Sequence, residues 1–210
     1  MQLVGKLIIK SKNKIIEFLN QESTGRIASI DKDGFPQIIP MNFVFLDDVI
    51  YMHSHVKGEK IDNIKRNSKA GFEVDKNLEF LPSYFSDPED ASLADTFYIS
   101  VVIKGDAYVV EDNKEKVLAL NGLMRKYQPE GKYLPMTADM EVLEHTAVIK
   151  VVPKYMNGKY KIGQNMSERE KIDIANKILQ RNSRTAMETL EIMGFQVEEG
   201  KAVLKTDVEW

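Results

Sequence analysis

Between Tyr51 and Lys60 the chain reads Tyr-Met-His-Ser-His-Val-Lys-Gly-Glu-Lys. This segment brings two imidazoles, a hydroxyl and ammonium groups to the junction of a strand and a helix. A strand ending in His and Ser, a glycine turn, and a helix start with free backbone N–H groups make up an anion site, most naturally one for phosphate. In that role Lys60 supplies charge and Ser54 a hydroxyl donor. The same residues also suit an ordinary strand end with a solvated basic helix start, and composition alone favours that plainer arrangement. His53 and His55 share a face of a strand, which raises a metal, but no third ligand lies nearby and no metal site is expected. In a regular strand Ser54 faces away from both histidines, so one site holding all three requires a twist or bulge.

Little else in the sequence has chemical shape. It lacks a Gly-x-Ser-x-Gly elbow, a Gly-x-Gly-x-x-Gly fingerprint and a phosphate-binding P-loop. With no cysteine, a thiolate nucleophile, a disulfide framework and an iron–sulfur centre are excluded. The acids Asp87, Glu89, Asp90 and Asp95 read as a solvated loop rather than a calcium site. Basic and acidic residues nearly balance, 29 against 32, which argues against coating nucleic acid through bulk charge. No apolar run is long enough to span a membrane. Residues 1–19 are apolar and basic, but Lys6, Lys10, Lys12 and Lys14 interrupt any signal-peptide core. A first strand and a short helix are expected there, in a cytoplasmic protein.

The elements that must position these groups are mostly strands. Residues 26–30 and 35–45 read as strands joined by Asp31-Lys32-Asp33-Gly34, a strong hairpin signal. Pro36 and Pro40 cannot donate to a ladder and mark an edge or bulge where the sheet opens. Strands are expected again at 49–55, 70–75, 97–103, 106–111 and 146–152, with Gly105 as a bulge or bend between the third and fourth of these. Helices are expected at 11–19, 57–67 and 114–126, and a long loop at 78–95. Adjacent, hairpin-linked strands favour a mainly β antiparallel barrel with peripheral helices over parallel α/β. The tail differs: Ser167–Glu170 is a capping box, and helical stretches follow to about 193, either separate or one helix kinked near Asn182. Two regions are expected: a domain over 1–160, and a C-terminal helical extension over 161–210 packed on the barrel or on a partner subunit.

The order of GRIASIDKDGFPQIIPMNFVF, VIYMHSHVKGEKIDNIKRN and YISVVIKGDA resembles the pyridoxamine 5′-phosphate oxidase-related flavoproteins, most of all the nitroimidazole-resistance-type branch. The resemblance covers roughly residues 10–155 and implies an FMN-binding split barrel that forms a homodimer, with the cofactor at the subunit interface. It places Pro40, Met41 and Asn42 against the flavin ring, and His53 and Ser54 at ring and phosphate. The phosphate-gripping basic pair falls on Glu59 and Lys60, where only the second is basic, so Lys57 becomes a further candidate. Ser100, ahead of Gly105, falls on a ring contact. His53 is the one candidate for a catalytic proton donor. The oxidases' Arg/His segment for pyridoxal phosphate has no counterpart here. The implied activity is therefore reduction of a small electrophile, a nitroaromatic or quinone, by an FMN-dependent oxidoreductase. A flavin-binding module for storage, sensing or electron transfer is the alternative, and pyridoxamine 5′-phosphate oxidase activity the second.

Overall fold

The computed structural model describes residues 5–206 and 208; the start of the expected first strand, residues 1–4, lies outside them. The chain divides into two compact units interleaved in sequence, one of residues 12–74 and 101–157, the other of 1–11, 75–100 and 158–210. Its elements in order are β1 (Ile8–Ile9), α1 (Lys12–Gln21), β2 (Gly25–Ile30), β3 (Pro36–Met41), β4 (Phe43–Leu46), β5 (Val49–His55), α2 (Glu59–Arg66), β6 (Lys69–Leu81) and β7 (Asp95–Val109). There follow α3 (Asn113–Tyr127), α4 (Val142–His145), β8 (Thr146–Lys161), α5 (Glu168–Arg181), α6 (Ala186–Ile192), β9 (Phe195–Glu198) and β10 (Lys201–Leu204). β6, β7 and β8 each run from one unit into the other.

The main sheet has the order β3-β2-β6-β7-β8-β5-β4, and the pairs β2–β3, β2–β6, β4–β5 and β5–β8 are antiparallel. β3 and β4 end the path unpaired with each other, so the sheet is open: a mainly β, split-barrel architecture, as expected. The 31–34 turn is held by Asp31 Oδ1, which accepts the Asp33 and Phe35 N–H groups at 2.8 Å each, while Gly34 takes φ 89°. β3 is an edge strand whose Pro36, Ile38 and Pro40 are exposed. The expected strand 35–45 breaks at Asn42, because the chain there leaves β2 (Gly25 opposite Met41) and joins β5 (Phe43 opposite Met52).

The first unit's core follows from alternation: Ile27, Phe43, Ile50, Met52, Phe72 and Ile149 are all essentially buried. Phe43 and Phe72 meet edge to face at 5.1 Å. Gly25 is required where it stands, since a Cβ would lie 2.1 Å from the Phe72 ring. Gly105 lies inside one continuous β7, not between two strands. A Cβ there would sit 2.1 Å from the Val152 carbonyl oxygen, so it allows a close backbone approach.

The second unit holds the tail, where the capping box Ser167/Glu170 forms as expected. Asn182 adopts the left-handed conformation (φ 49°, ψ 45°) and ends α5, so α5 and α6 are separate helices. A hairpin, β9–β10, follows and turns at Glu199 and Gly200, both at positive φ. Within this unit the buried Glu79 carboxylate accepts from Ser183 Oγ at 2.5 Å, Thr185 Oγ1 at 2.8 Å and Arg181 Nη1 at 3.2 Å. β6 and β8 outrun the strands expected at 70–75 and 146–152, and the expected 78–95 loop shortens to the residues between Leu81 and Asp95.

Candidate functional site

α2 forms because Ile61 and Ile64 bury one face, with Asn63 buried beside them, while Glu59, Asp62, Lys65 and Arg66 stay exposed. Its N-cap is Gly58, at φ 139° and ψ 160°, a conformation glycine adopts freely, and no side chain caps the helix. The Ile61 and Asp62 N–H groups bond back to the Gly58 carbonyl at 2.9 and 3.2 Å. Those of Glu59 and Lys60 have no partner among the described residues. The half-buried Lys60 ammonium donates to Met41 Sδ at 3.2 Å and meets no carboxylate among the described residues. Burial accordingly holds its pKa below the usual lysine value. Two N–H donors without a partner at the start of α2, and the partly desolvated ammonium carried by its second residue, are donor types suited to a phosphate.

The other expected residues are distributed unevenly about this start. Met41 is brought to Lys60 directly, and Pro40 and Asn42 flank it, both exposed at the end of β3. β5 stays regular to its end, opposing His53 to Val148, Ser54 to Ala147 and His55 to Thr146. The half-buried Ser54 therefore faces away from His53 and His55, and no twist unites the three. His55 Nδ1 accepts the Lys57 N–H at 3.1 Å, closing the turn before the helix, while the Lys57 side chain is exposed. Glu59 does not share the Lys60 environment; it lines a cleft with Asp31, Asp33, Asp62 and Arg66. Ser100 is half-buried in β7 within the other unit. Among the described residues no cluster of three or more His, Asp or Glu could hold a metal ion, and no helix is long and apolar enough to cross a membrane.

His53 opens onto a cavity of about 290 Å³ lined by Leu120, Leu123 and Met124 of α3 with Met136, Val142 and Thr146. On the same strand face, Tyr51 donates to Glu115 at 2.9 Å, and Lys150 meets both oxygens of that carboxylate at 2.7 and 2.9 Å. Burial first, and the Glu115 carboxylate second, push the Tyr51 phenol up to about 12, which fixes it as a neutral donor.

At the Asn42 break a single phenol secures the backbone. Tyr127 Oη accepts the Phe43 N–H at 2.9 Å and lies 2.5 Å from the Ser23 carbonyl and 3.0 Å from that of Phe43. Beside it, Lys126 Nζ donates to the Leu19 carbonyl at 2.8 Å and sits 3.7 Å from the centre of the Phe43 ring. Desolvation lowers the Lys126 pKa to about 8. Sequence reasoning missed Tyr127, Lys126 and the α3 wall of the cavity. Tyr127 reaches a backbone 84 residues away, and the apolar stripe of α3 signalled packing without showing a gap.

The pyridoxamine 5′-phosphate oxidase family model matches residues 11–160, which include this whole site. No curated protein matches the chain. Among solved structures, a candidate 5-nitroimidazole antibiotic resistance protein from Bacteroides thetaiotaomicron is 25% identical with a TM-score of 0.62, over 73% of this chain and 86% of its own. A flavocytochrome from Azotobacter vinelandii shares the fold at 16% identity and a TM-score of 0.65, over 77% and 72%. A FAD and heme binding protein from Mycobacterium smegmatis shares it at 18% and 0.61, over 77% of both chains. The match to the family model, with an open antiparallel sheet and the β3–β5–α2 arrangement to support it, shows that the chain belongs to the pyridoxamine 5′-phosphate oxidase family.

Proposed function

We propose that this chain is a flavoprotein that holds FMN and reduces a small electrophile of the nitroaromatic or quinone type. The observation that carries this reading is Lys60, a half-buried ammonium with a thioether as its partner, carried at the start of a helix that no side chain caps. An anion there restores the interactions that burial removed. Structures of the same fold named as a flavocytochrome and a FAD-binding protein support the choice of a flavin.

In this reading Lys60, the Glu59 and Lys60 N–H groups and Ser54 hold the phosphate, with Lys57 adding charge from solvent. Pro40, Met41 and Asn42 form a wall for the ring, Ser100 offers a polar contact, and His53 holds or delivers a proton beside it. Bound flavin supplies hydride and single-electron chemistry, and the protein supplies orientation and electrostatics. The exposed apolar side chains Phe35 and Ile38 at the sheet edge suit a homodimer that completes the cofactor cleft. Residues 1–160 carry the site in this cytoplasmic protein, and 161–210 are an extension. A flavin-binding module without a dedicated substrate shares every binding feature and differs only in turnover.

Titration of apo-protein with FMN, followed by flavin fluorescence quenching, tests the assignment. A charge-assisted contact worth roughly 1.5–3 kcal/mol makes Lys60→Ala weaken binding about 10- to 150-fold. Lys65→Ala, exposed on the same helix, controls for general charge and is expected to change it less than about threefold. Equal effects of the two substitutions, or none at Lys60, would withdraw the phosphate from this position.

A further inference from the structure

We infer that the cavity beside His53 is the substrate pocket, and that it takes a small, uncharged, planar aromatic molecule bearing one hydrogen-bonding group. The inference deepens the flavin reading above, and the closing experiment separates failure of the pocket from failure of that reading.

The walls define the ligand. Leu120, Leu123, Met124, Met136 and Val142 present carbon and thioether surface. Thr146 also lines the cavity, but its hydroxyl already donates to the Val142 carbonyl at 2.9 Å. That leaves His53 as the lining side chain able to make a new hydrogen bond, and among the described residues it has no hydrogen-bond partner. No cation lines the cavity, so a phosphate ester or carboxylate would meet apolar surface with nothing to offset its desolvation. An apolar cavity of roughly 150 Å³ holds a benzene ring, so about 290 Å³ accepts one ring with substituents or two fused rings. The two methionines, flexible and polarizable, adapt to ring edges and tolerate variation in shape.

The pocket also differs in kind from the phosphate position. Lys60 and its N–H groups select charge, whereas the His53 cavity rejects it. His53 is on the strand face that carries Tyr51, and Tyr51 is already engaged by Glu115, so His53 is the group left to meet a ligand.

The test uses 4-fluoronitrobenzene, observed by ¹⁹F NMR line broadening on the full chain with and without FMN, so that binding is read without turnover. Val142 is half exposed on the cavity wall, and Val142→Trp fills the space from outside with little strain on the core. The expected result is saturable binding to the native chain, at least tenfold weaker binding to Val142→Trp, and FMN affinity unchanged in that variant. Pyridoxamine 5′-phosphate, the charged comparator, is expected not to displace the probe. Equal probe binding by both chains, or none by the native chain, overturns the pocket while leaving the Lys60 titration intact. Loss of FMN affinity in Val142→Trp also overturns it, by giving the cavity to the cofactor. Conversion of a dimer to monomer by Val142→Trp overturns it by giving the cavity to a second copy. Met124→Trp, from the α3 part of the lining, must reproduce the result.

Discussion

Lys60, half-buried, and Arg181, itself exposed but paired with the buried Glu79, are two cations, one in each unit, and their surroundings are opposites. Arg181 Nη1 meets the Glu79 carboxylate at 3.2 Å and the Phe80 carbonyl at 2.5 Å, and two hydroxyls fill the remaining capacity of that carboxylate. Lys60 meets a sulfur. A satisfied buried charge marks a structural joint, here tying the α5–α6 turn to β6. A buried charge without an anion marks a place where the fold gives up stability and an outside ligand can restore it.

The sharpest way to break this contrast is Arg181→Met, which leaves the Glu79 carboxylate buried without its cation. Loss of one partner of such a pair costs about 3 kcal/mol. For a chain of this size that lowers Tm by roughly 6–12 °C in calorimetry. FMN affinity is expected to stay within about threefold, the reverse of Lys60→Ala, which removes affinity and spares stability. If Arg181→Met weakens FMN as strongly as Lys60→Ala does, the division between joint and site fails.

Tyr127→Phe probes a group between these extremes. It strips the Phe43 N–H of its acceptor and two carbonyls of their shared donor, at a cost of about 1–2 kcal/mol in urea unfolding. Because the same hydroxyl fixes the backbone next to Asn42, the visible spectrum of bound flavin is expected to shift as well. An unchanged spectrum would make Tyr127 a joint like Glu79.

An effect that appears only as a pH dependence concerns Lys126, whose folded pKa falls from 10.5 to about 8. Folding weakens its proton binding, so between those values the unfolded chain holds more protons and native stability rises with pH. Lys126→Met removes that dependence. Its stability relative to the native chain is expected to be highest at pH 7 and to decline steadily towards pH 10.5, read from urea midpoints. A difference that does not vary with pH would mean the ammonium is as well solvated as any surface lysine.

Local chemistry made much of this legible beforehand. The Asp31–Gly34 turn, the α2 stripe of Ile61 and Ile64, and the Ser167/Glu170 box each carry their signal within a few residues. The lengths of β6 and β8 were hidden because their extensions, such as 153–161, carry lysines, asparagine and glycine and lack clear two-residue alternation. The β9–β10 hairpin, four residues a side, offered only Glu199-Gly200 as a cue. At the site, residue types marked Lys60 and His53 as polar groups near a helix start. They could not show that β5 stays straight and sends Ser54 to the other face, or that Glu59 turns to an acidic cleft. Those outcomes depend on pairing with β8 and on the approach of the 31–33 turn, contacts far apart along the chain.

The prolines of β3 have a consequence for how the molecule behaves in a crowded solution. An open sheet ends in strands whose unused backbone groups can template another chain, the first step of edge-to-edge aggregation. Pro36 and Pro40 have no N–H, and with Ile38 they fall on the alternate positions of β3. Alternate residues of a strand direct their N–H groups to the same side, and a ladder to β2 that runs through both prolines puts that side outward. An incoming strand would then find one donor, that of Ile38, where a regular edge of this length offers three. The rim of the barrel can stay open for a ligand without becoming a seed for fibrils.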